Sequence, residues 1–105
     1  VIATRCEVVT VLFSDIVDFT SMSARLQPTD LVKLLNQVFS AFDKLAEHYG
    51  LEKIKTIGDA YMVVGGIPSS RSDHAEAIAE MALNMQQEIR RFQSDTGENL
   101  NLRIG

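Results

Sequence analysis

Two aspartates, Asp15 and Asp59, are the residues of this sequence whose type and placement best suit chemistry. Each follows a segment rich in β-branched and apolar residues, so each is expected where a strand ends and the backbone turns. Two carboxylates at strand ends are suitable ligands for Mg²⁺, which prefers a few carboxylates, several waters and nucleotide phosphates. Aspartate is also a common turn residue for purely structural reasons. The surrounding residues are therefore needed to distinguish a cation site from two ordinary turns.

Length, composition and charge restrict the possible classes of function. The chain has 105 residues, 46% of them hydrophobic, and a formal net charge of −4, which is typical of at most one globular domain. Acidic and basic residues are interspersed, so no basic face predicts DNA or RNA as a partner. The single cysteine, Cys6, cannot form an internal disulfide, which favours a cytoplasmic domain. No apolar segment reaches the length of a membrane span, so a membrane anchor is expected only in segments outside this chain.

Two long helices are predicted from apolar residues spaced three and four apart. The first runs from Pro28, which suits a first helical turn, to Gly50, which suits a helix end. Its apolar stripe consists of Leu31, Leu34, Leu35, Val38, Phe39, Phe42, Leu45 and Ala46. The second begins near Asp73, which with Glu76 three residues later resembles a helix-start signature. Its stripe consists of Ile78, Met81, Met85, Ile89 and Phe92.

The remaining pattern predicts strands and completes an α+β fold. The apolar run at residues 8–13 is typical of a central strand covered on both faces. Residues 51–57 and 60–64 predict an antiparallel hairpin with a two-residue connection at Gly58 and Asp59. With a short helix after the first strand, a loop at residues 65–70 and a last strand near the end, the order is β-α-α-β-β-α-β. This order is close to a ferredoxin-like arrangement.

This fold would bring the two aspartates together. The first strand and the hairpin are neighbours in a ferredoxin-like sheet, so the carboxylates of Asp15 and Asp59 are expected to converge. The backbone at residues 17–20 leads into a helix N-terminus, where free N–H groups suit a phosphate group. An ordinary capped loop is the alternative interpretation of that segment.

Three basic residues lie on the predicted strands. Regular alternation places Lys53 and Lys55 on the same face of the hairpin as Ile57. Lys55 is expected either to donate a hydrogen bond near the cation site or to extend into solvent. Arg103, on the last strand, is either a solvated sheet residue or a phosphate ligand.

Two segments together resemble the catalytic domain of class III nucleotidyl cyclases. They are residues 11–20 (Val-Leu-Phe-Ser-Asp-Ile-Val-Asp-Phe-Thr) and residues 52–62 (Glu-Lys-Ile-Lys-Thr-Ile-Gly-Asp-Ala-Tyr-Met). The resemblance extends over the whole chain in the expected order. Further matches are Gly65-x-x-Pro68, Asp73-His74 and Leu-Arg-Ile-Gly at residues 102–105. By this resemblance, residues 1–105 are expected to form the N-terminal part of a cyclase catalytic domain.

The resemblance implies an adenylyl cyclase, in which the ribose 3′-hydroxyl of ATP attacks the α-phosphorus to give 3′,5′-cyclic AMP and pyrophosphate. Asp15 and Asp59 would be catalytic residues that hold two Mg²⁺ or Mn²⁺ ions, with the main-chain carbonyl of Ile16 as a further ligand. Asp18 stands where the family often has glycine, which leaves the details of the phosphate loop open.

The resemblance also assigns substrate contacts. Phe19 and Thr20 match a segment that contacts the phosphates, and Arg103 matches an arginine that binds the terminal phosphates. Lys55 matches the base-selecting position of adenylyl cyclases. An ammonium group can only donate hydrogen bonds, which suits the N1 acceptor of adenine, whereas guanine N1–H needs an acceptor such as glutamate.

Family members build each active site between two catalytic domains, one supplying the aspartates and the other the lysine. Because this chain has both, it is expected to form a symmetric homodimer. The family's second base-selecting residue and its transition-state Asn and Arg are expected after Gly105. A catalytically silent dimerisation or regulatory module and a guanylyl cyclase are the alternatives. Lys55 disfavours guanine, and no Gly-Gly-Asp-Glu-Phe motif supports a diguanylate cyclase.

Overall fold

The computed structural model of the chain describes residues 9–66 and 72–105. Its elements, in chain order, are β1 (Thr10–Ile16), α1 (Phe19–Arg25), α2 (Pro28–His48), β2 (Glu52–Ile57), β3 (Ala60–Gly65), α3 (His74–Thr96) and β4 (Leu102–Ile104). The predicted order β-α-α-β-β-α-β is confirmed. The predictions that involve Cys6, Val8 and residues 67–70 lie outside the described residues.

The four strands form one antiparallel sheet in the order β2-β3-β1-β4. β1 is central, as predicted, but the expectation that it is covered on both faces is wrong. Its side chains alternate between buried positions at Leu12, Ser14 and Ile16 and exposed positions at Val11 and Phe13. The reason is that the core cluster lies on one side of the sheet. On the other side, Val64 is buried, but Val11 and Phe13 remain partly exposed.

The side of the sheet that faces away from the helices is called the open face. Residues paired directly across neighbouring strands point to the same side, so the register identifies its members. They include Val11, Phe13, Asp15, Lys55, Ile57, Met62 and Arg103. Phe13 and Ile57 are 55% and 64% exposed, which makes this face apolar as well as charged.

The two long helices cover the other face through the predicted stripes. Residues Leu34, Val38, Phe42 and Ala46 of α2 are buried, as are the five predicted stripe residues of α3. Pro28 occupies the first turn of α2, and Gly50, with φ of 66°, follows its end. Asp73 directly precedes α3, as predicted, although its side chain makes no capping hydrogen bond.

Aromatic side chains join α2 to the sheet. The ring of Tyr61 on β3 lies 5.4 Å from that of Phe42 in an edge-on arrangement and 5.7 Å from that of Phe39. Tyr61 is completely buried. Because aromatic pairs of this geometry add about 0.5–1.5 kcal/mol beyond their buried area, this cluster fixes the position of α2 over β3.

Within residues 9–66 and 72–105, every helix is too short or too polar to span a lipid bilayer.

The turn between β1 and α1 contains a left-handed residue. Asp18 has φ of 57° and ψ of 33° and is the one described non-glycine residue with positive φ. An L-residue in this region is strained by contact between its Cβ and the backbone, although aspartate tolerates it better than most. Glycine would adopt this conformation without that strain.

We therefore expect Asp18→Gly to stabilise the protein by about 0.5–1 kcal/mol, because relief of strain outweighs the larger entropy of the unfolded glycine chain. The free energy of unfolding in urea measures the effect. Asp30→Gly in the first turn of α2 is the matched control. It should destabilise the protein, because it removes a favourable charge near a helix N-terminus and lowers helix propensity. Equal destabilisation by both variants would contradict the strain at Asp18.

Candidate active site

Asp15 lies on the open face near the end of β1. The strand is longer than the apolar run predicts and continues through Ile16, because β4 pairs with it at Asp15 and Ile16. Asp15 is therefore the penultimate residue of a strand and not a residue of the following turn. Its side chain is 37% exposed, and alternation directs it away from the core.

Asp59 lies in the two-residue connection of the β2–β3 hairpin, as predicted. Its Oδ2 accepts a hydrogen bond of 2.9 Å from the main-chain N–H of Ile16. This bond ties the hairpin tip to the residue that follows Asp15. The prediction that the two carboxylates approach each other across neighbouring strands is consistent with this geometry.

Arg103 neutralises Asp15 in the structure. Its Nε lies 3.0 Å from Oδ1 of Asp15, and its Nη2 lies 2.9 Å from Oδ2, so both carboxylate oxygens accept a hydrogen bond. The two residues are directly opposite in the β1–β4 register. The hydrogen bonds and the charge of Asp15 raise the pKa of Arg103, and the charge of Asp59 adds to the rise. The guanidinium therefore interacts electrostatically with both aspartates.

The start of α1 presents main-chain donors beside this site. The first hydrogen bond of the helix runs from Met22 N–H to the carbonyl of Asp18, so the N–H groups of Phe19 and Thr20 precede the helical ladder. The Phe19 side chain packs against the core, whereas Thr20 is exposed. Of these two residues, Phe19 can therefore offer a ligand its backbone more readily than its ring.

Lys55 lies on the open face opposite Met62. Together with Phe13, Ile57 and Met62 it lines a small depression of about 40 Å³. No described residue forms a hydrogen bond or an ion pair with its ammonium group. Within the described residues, the ammonium group is therefore paired with neither aspartate, and its charge is available to a ligand or a second chain.

The predicted alternation of β2 is wrong at Lys53. Lys53 pairs with Val63 and Lys55 pairs with Met62, so a β-bulge lies between the two lysines. Because Val63 and Met62 are consecutive, they point to opposite faces, and so do their partners. Lys53 therefore lies on the helix side of the sheet, where its Nζ is 3.1 Å from Oδ1 of Asp43.

Sequence reasoning missed the partners of Lys53. Asp43 of α2 also accepts a hydrogen bond of 2.8 Å from the hydroxyl of Tyr61. Burial of the Tyr61 ring, and secondarily the bond to Asp43, raise the pKa of the phenol. Spacing along α2 offered a partial signal, because Asp43 is a polar residue directly after the buried Phe42 of the apolar stripe.

The donor set restricts the kind of metal that this region could hold. Within residues 9–66 and 72–105, no three or more His, Cys, Asp and Glu side chains form a cluster suitable for a metal ion. What the site offers is two carboxylates and nearby main-chain oxygens. Such ligands suit a hard cation that keeps waters or phosphate oxygens, and they do not suit a structural zinc ion.

The sequence of the chain matches a known protein family. The family model of the adenylate and guanylate cyclase catalytic domain matches residues 1–105. The chain belongs to this family. Its 105 residues are 44% identical to an adenylate cyclase of Mycobacterium tuberculosis, of which they cover 24%. A receptor-type guanylate cyclase of Caenorhabditis elegans is 46% identical over 99 residues. This match covers 92% of the chain and 8% of the relative.

A solved cyclase structure agrees with the fold. The catalytic core of a rhodopsin-guanylyl cyclase with converted specificity, in complex with ATPαS, superimposes with a TM-score of 0.87 and 43% identity. The match covers 92% of this chain and 53% of that one. The chain thus spans about half of the solved cyclase core and a smaller share of the curated relatives. The relatives include both adenylyl and guanylyl cyclases at similar identity, so membership of the family leaves the base open.

The Tyr61–Asp43 hydrogen bond makes a prediction about stability and pH. Folding raises the pKa of this phenol above its unfolded value of about 10. Its contribution to the free energy of unfolding is therefore fully present below about pH 10 and decreases as the pH rises above that value. Above pH 10, the free energy of unfolding of the wild type should therefore fall more steeply than that of Tyr61→Phe, by up to about 1.4 kcal/mol per pH unit. Urea unfolding between pH 8 and about pH 11 measures the difference. Tyr49→Phe, which removes a hydroxyl bonded to Asn84, should keep the wild-type slope. A wild-type slope in Tyr61→Phe would contradict the assignment.

Proposed function

We propose that this chain carries the cation-binding and base-reading residues of an adenylyl cyclase, which converts ATP to 3′,5′-cyclic AMP and pyrophosphate. The observation that carries the proposal is the hydrogen bond from Ile16 N–H to Asp59, which holds one carboxylate next to the strand end that bears the other. Membership of the cyclase family supports the reaction class. The exposed ammonium of Lys55 supports the choice of ATP.

The ligands of the proposed site suit divalent cations. Asp15 and Asp59 would hold two ions together with the main-chain carbonyl of Ile16, all hard oxygen donors. When bound, Mg²⁺ or Mn²⁺ would promote ionisation of the ribose 3′-hydroxyl and neutralise charge on the triphosphate. The chain's own contribution is preorganisation. Asp59 is held by a backbone N–H group, and Asp15 is held within a strand that is hydrogen-bonded on both sides.

Binding of the phosphates requires local positive charge, because the chain carries a net charge of −4. Arg103 is hydrogen-bonded to Asp15, and its planar fork suits phosphate oxygens as well as carboxylate oxygens. We infer that the terminal phosphates of ATP share or replace Asp15 as its partner. The N–H groups of Phe19 and Thr20 would add neutral donors at the start of α1.

Base recognition is assigned to Lys55. Its ammonium group projects from an apolar part of the open face beside Phe13 and Met62, where water is more easily excluded than on a polar surface. A donor in this position pairs with adenine N1 and opposes the N1–H of guanine. A mismatched polar edge in a desolvated site costs about 1–3 kcal/mol.

We therefore expect Lys55→Glu in the complete cyclase domain to lower kcat/KM for ATP by about tenfold to a hundredfold. The gain for GTP should be smaller, because one reversed donor does not rebuild the whole base site. Steady-state rates with ATP and GTP measure the ratio. Lys33→Glu on the exposed side of α2 makes the same charge change away from the open face and should leave the ratio unaltered. An unaltered ratio in Lys55→Glu would show that this side chain does not read the base.

The open face also supports assembly with a second cyclase domain. Phe13, Ile57 and Val11 expose apolar surface around Lys55, and contiguous exposed apolar surface of this kind marks interaction sites. We propose that a second copy of the chain covers this face in a symmetric homodimer. Each site would combine Asp15 and Asp59 of one copy with Lys55 of the other.

Mixing two inactive variants tests this arrangement. Asp59→Asn removes a charge while keeping an acceptor for Ile16 N–H, and Lys55→Ala removes the base contact, so each complete domain should have little activity alone. In an equimolar mixture that exchanges subunits, half of the dimers are mixed and one of their two sites is intact. About a quarter of wild-type activity should return. Recovery of no activity, while size measurements show mixed dimers, would exclude a shared site.

A guanylyl cyclase is the second candidate. It is favoured by the 46% identity to a receptor-type guanylate cyclase, which is as high as the identity to the adenylate cyclase relative. The wild-type ratio of ATP to GTP turnover decides between the two. Absence of turnover with either nucleotide would instead support the silent dimerisation or regulatory module.

A further inference from the structure

The bulge in β2 determines which of its two lysines lies on the open face. Three residues of β2, from Lys53 to Lys55, lie opposite two residues of β3, Val63 and Met62. Bulges of this kind occur next to active sites, where they redirect a side chain. Here the redirected side chain is that of Lys53.

The hairpin tip determines where Lys55 points. Ile57 pairs with Ala60, and Thr56 pairs with Tyr61, so the two-residue connection leaves Lys55 opposite Met62 on the open face. In a regular strand, Lys53 would then lie on the same face, about 7 Å further along. The base would meet two ammonium groups. The bulge leaves only one of them on this face.

Lys53 has a specific partner on the opposite side of the sheet. Its Nζ lies 3.1 Å from Oδ1 and 3.2 Å from Oδ2 of Asp43, and 5.8 Å from the centre of the Tyr61 ring. This ion pair links α2 to β2 at the first residue of the bulge. Both side chains are partly exposed, at 39% and 44%, so neither is held by burial alone.

Tyr61 fixes the carboxylate that holds Lys53. Its hydroxyl donates a hydrogen bond of 2.8 Å to Oδ1 of Asp43, and its completely buried ring packs against Phe42 and Phe39. The phenol is protonated at neutral pH, so it donates this hydrogen bond. Asp43 is thus attached both to the core and to the bulged strand.

We propose that Asp43, Lys53 and Tyr61 are positioning residues for base recognition. Tyr61 and Asp43 hold Lys53 on the helix side of the sheet, which maintains the bulge at Ile54 and leaves Lys55 as the single lysine of β2 on the open face. The inference rests on the proposed function, since it takes Lys55 as the residue that contacts the base. None of the three residues contacts the nucleotide. They act through the backbone of β2.

The kinetic test compares Asp43→Asn with the double variant Asp43→Asn/Lys53→Met in the complete cyclase domain. Asp43→Asn removes the charge that holds Lys53, so a second ammonium group becomes available to the base and can donate to guanine O6. The ratio of kcat/KM for ATP to that for GTP should fall by about three- to tenfold, mainly through KM. The double variant should recover most of the wild-type ratio, because methionine carries no charge and prefers the apolar side of the sheet. A merely structural loss would not be reversed by a second substitution.

Glu88→Gln is the matched control, because it weakens an exposed ion pair with Arg91 on α3 and should leave the ratio unaltered. The register is measured separately by NMR contacts between strands. The wild type and the double variant should show Glu52 opposite Val64 and Lys53 or its replacement opposite Val63. Asp43→Asn should show contacts between Lys53 and Val64.

The outcomes separate this inference from the proposed function. If Lys55→Glu alters the ATP to GTP ratio but Asp43→Asn does not, the positioning role is overturned. Failure of the double variant to recover the ratio also overturns it. If Lys55→Glu leaves the ratio unaltered, the assignment of Lys55 as the base-reading residue fails, and the role in base recognition fails with it. The register alone then decides whether Asp43 holds the bulge, and a wild-type register in Asp43→Asn overturns that part as well.

Discussion

The antiparallel pairing of β1 with β3 is the constraint on which the site depends. It places Ser14 opposite Tyr61, so the turn that precedes β3 reaches the end of β1 and Asp59 can accept the N–H of Ile16. A shift of one residue would turn Asp15 into the core and Ile16 out of it, because side chains alternate with a period of two. Burial of Leu12 and Ile16 beneath the helices therefore fixes the position of a carboxylate on the other side of the sheet.

The pairing of β1 with β4 produces an electrostatic balance at the edge of the open face. Two carboxylates next to each other would repel, and Arg103 from β4 compensates them through a two-pronged contact with Asp15 and a longer-range interaction with Asp59. Because these groups are solvent-exposed, water screens the pair, and a more highly charged ligand can compete for either partner. The arrangement suits a site that must exchange an internal ion pair for cations and phosphates.

Features that depend on neighbours along the chain could be predicted from the sequence. The stripes of α2 and α3 and the Gly58–Asp59 connection follow from local spacing and turn chemistry, and the structure confirms them. The contact of Arg103 with Asp15 joins residues 88 positions apart, and no local pattern encodes it. Regular alternation predicts Lys53 on the open face. This prediction is wrong because β2 contains an extra residue and Lys53 forms an ion pair with α2 on the other side of the sheet. The exposure of Val11 and Phe13 on β1 could not be predicted, because an apolar run does not show which of its two faces the helices cover.

Base preference in this family must arise from features finer than the fold. Relatives named as adenylate and guanylate cyclases are 44% and 46% identical to this chain, so the backbone that they share accommodates either purine. The two bases differ at N1 and at the exocyclic group of C6 in the direction of their hydrogen bonds, and a single donor discriminates between them only if no second donor lies within reach. A strand with lysines at alternate positions would supply that second donor. An irregularity of one residue, fixed by a helix on the opposite side of the sheet, removes it from the face while preserving its charge. Selectivity at Lys55 would then depend as much on where Lys53 is held as on Lys55 itself.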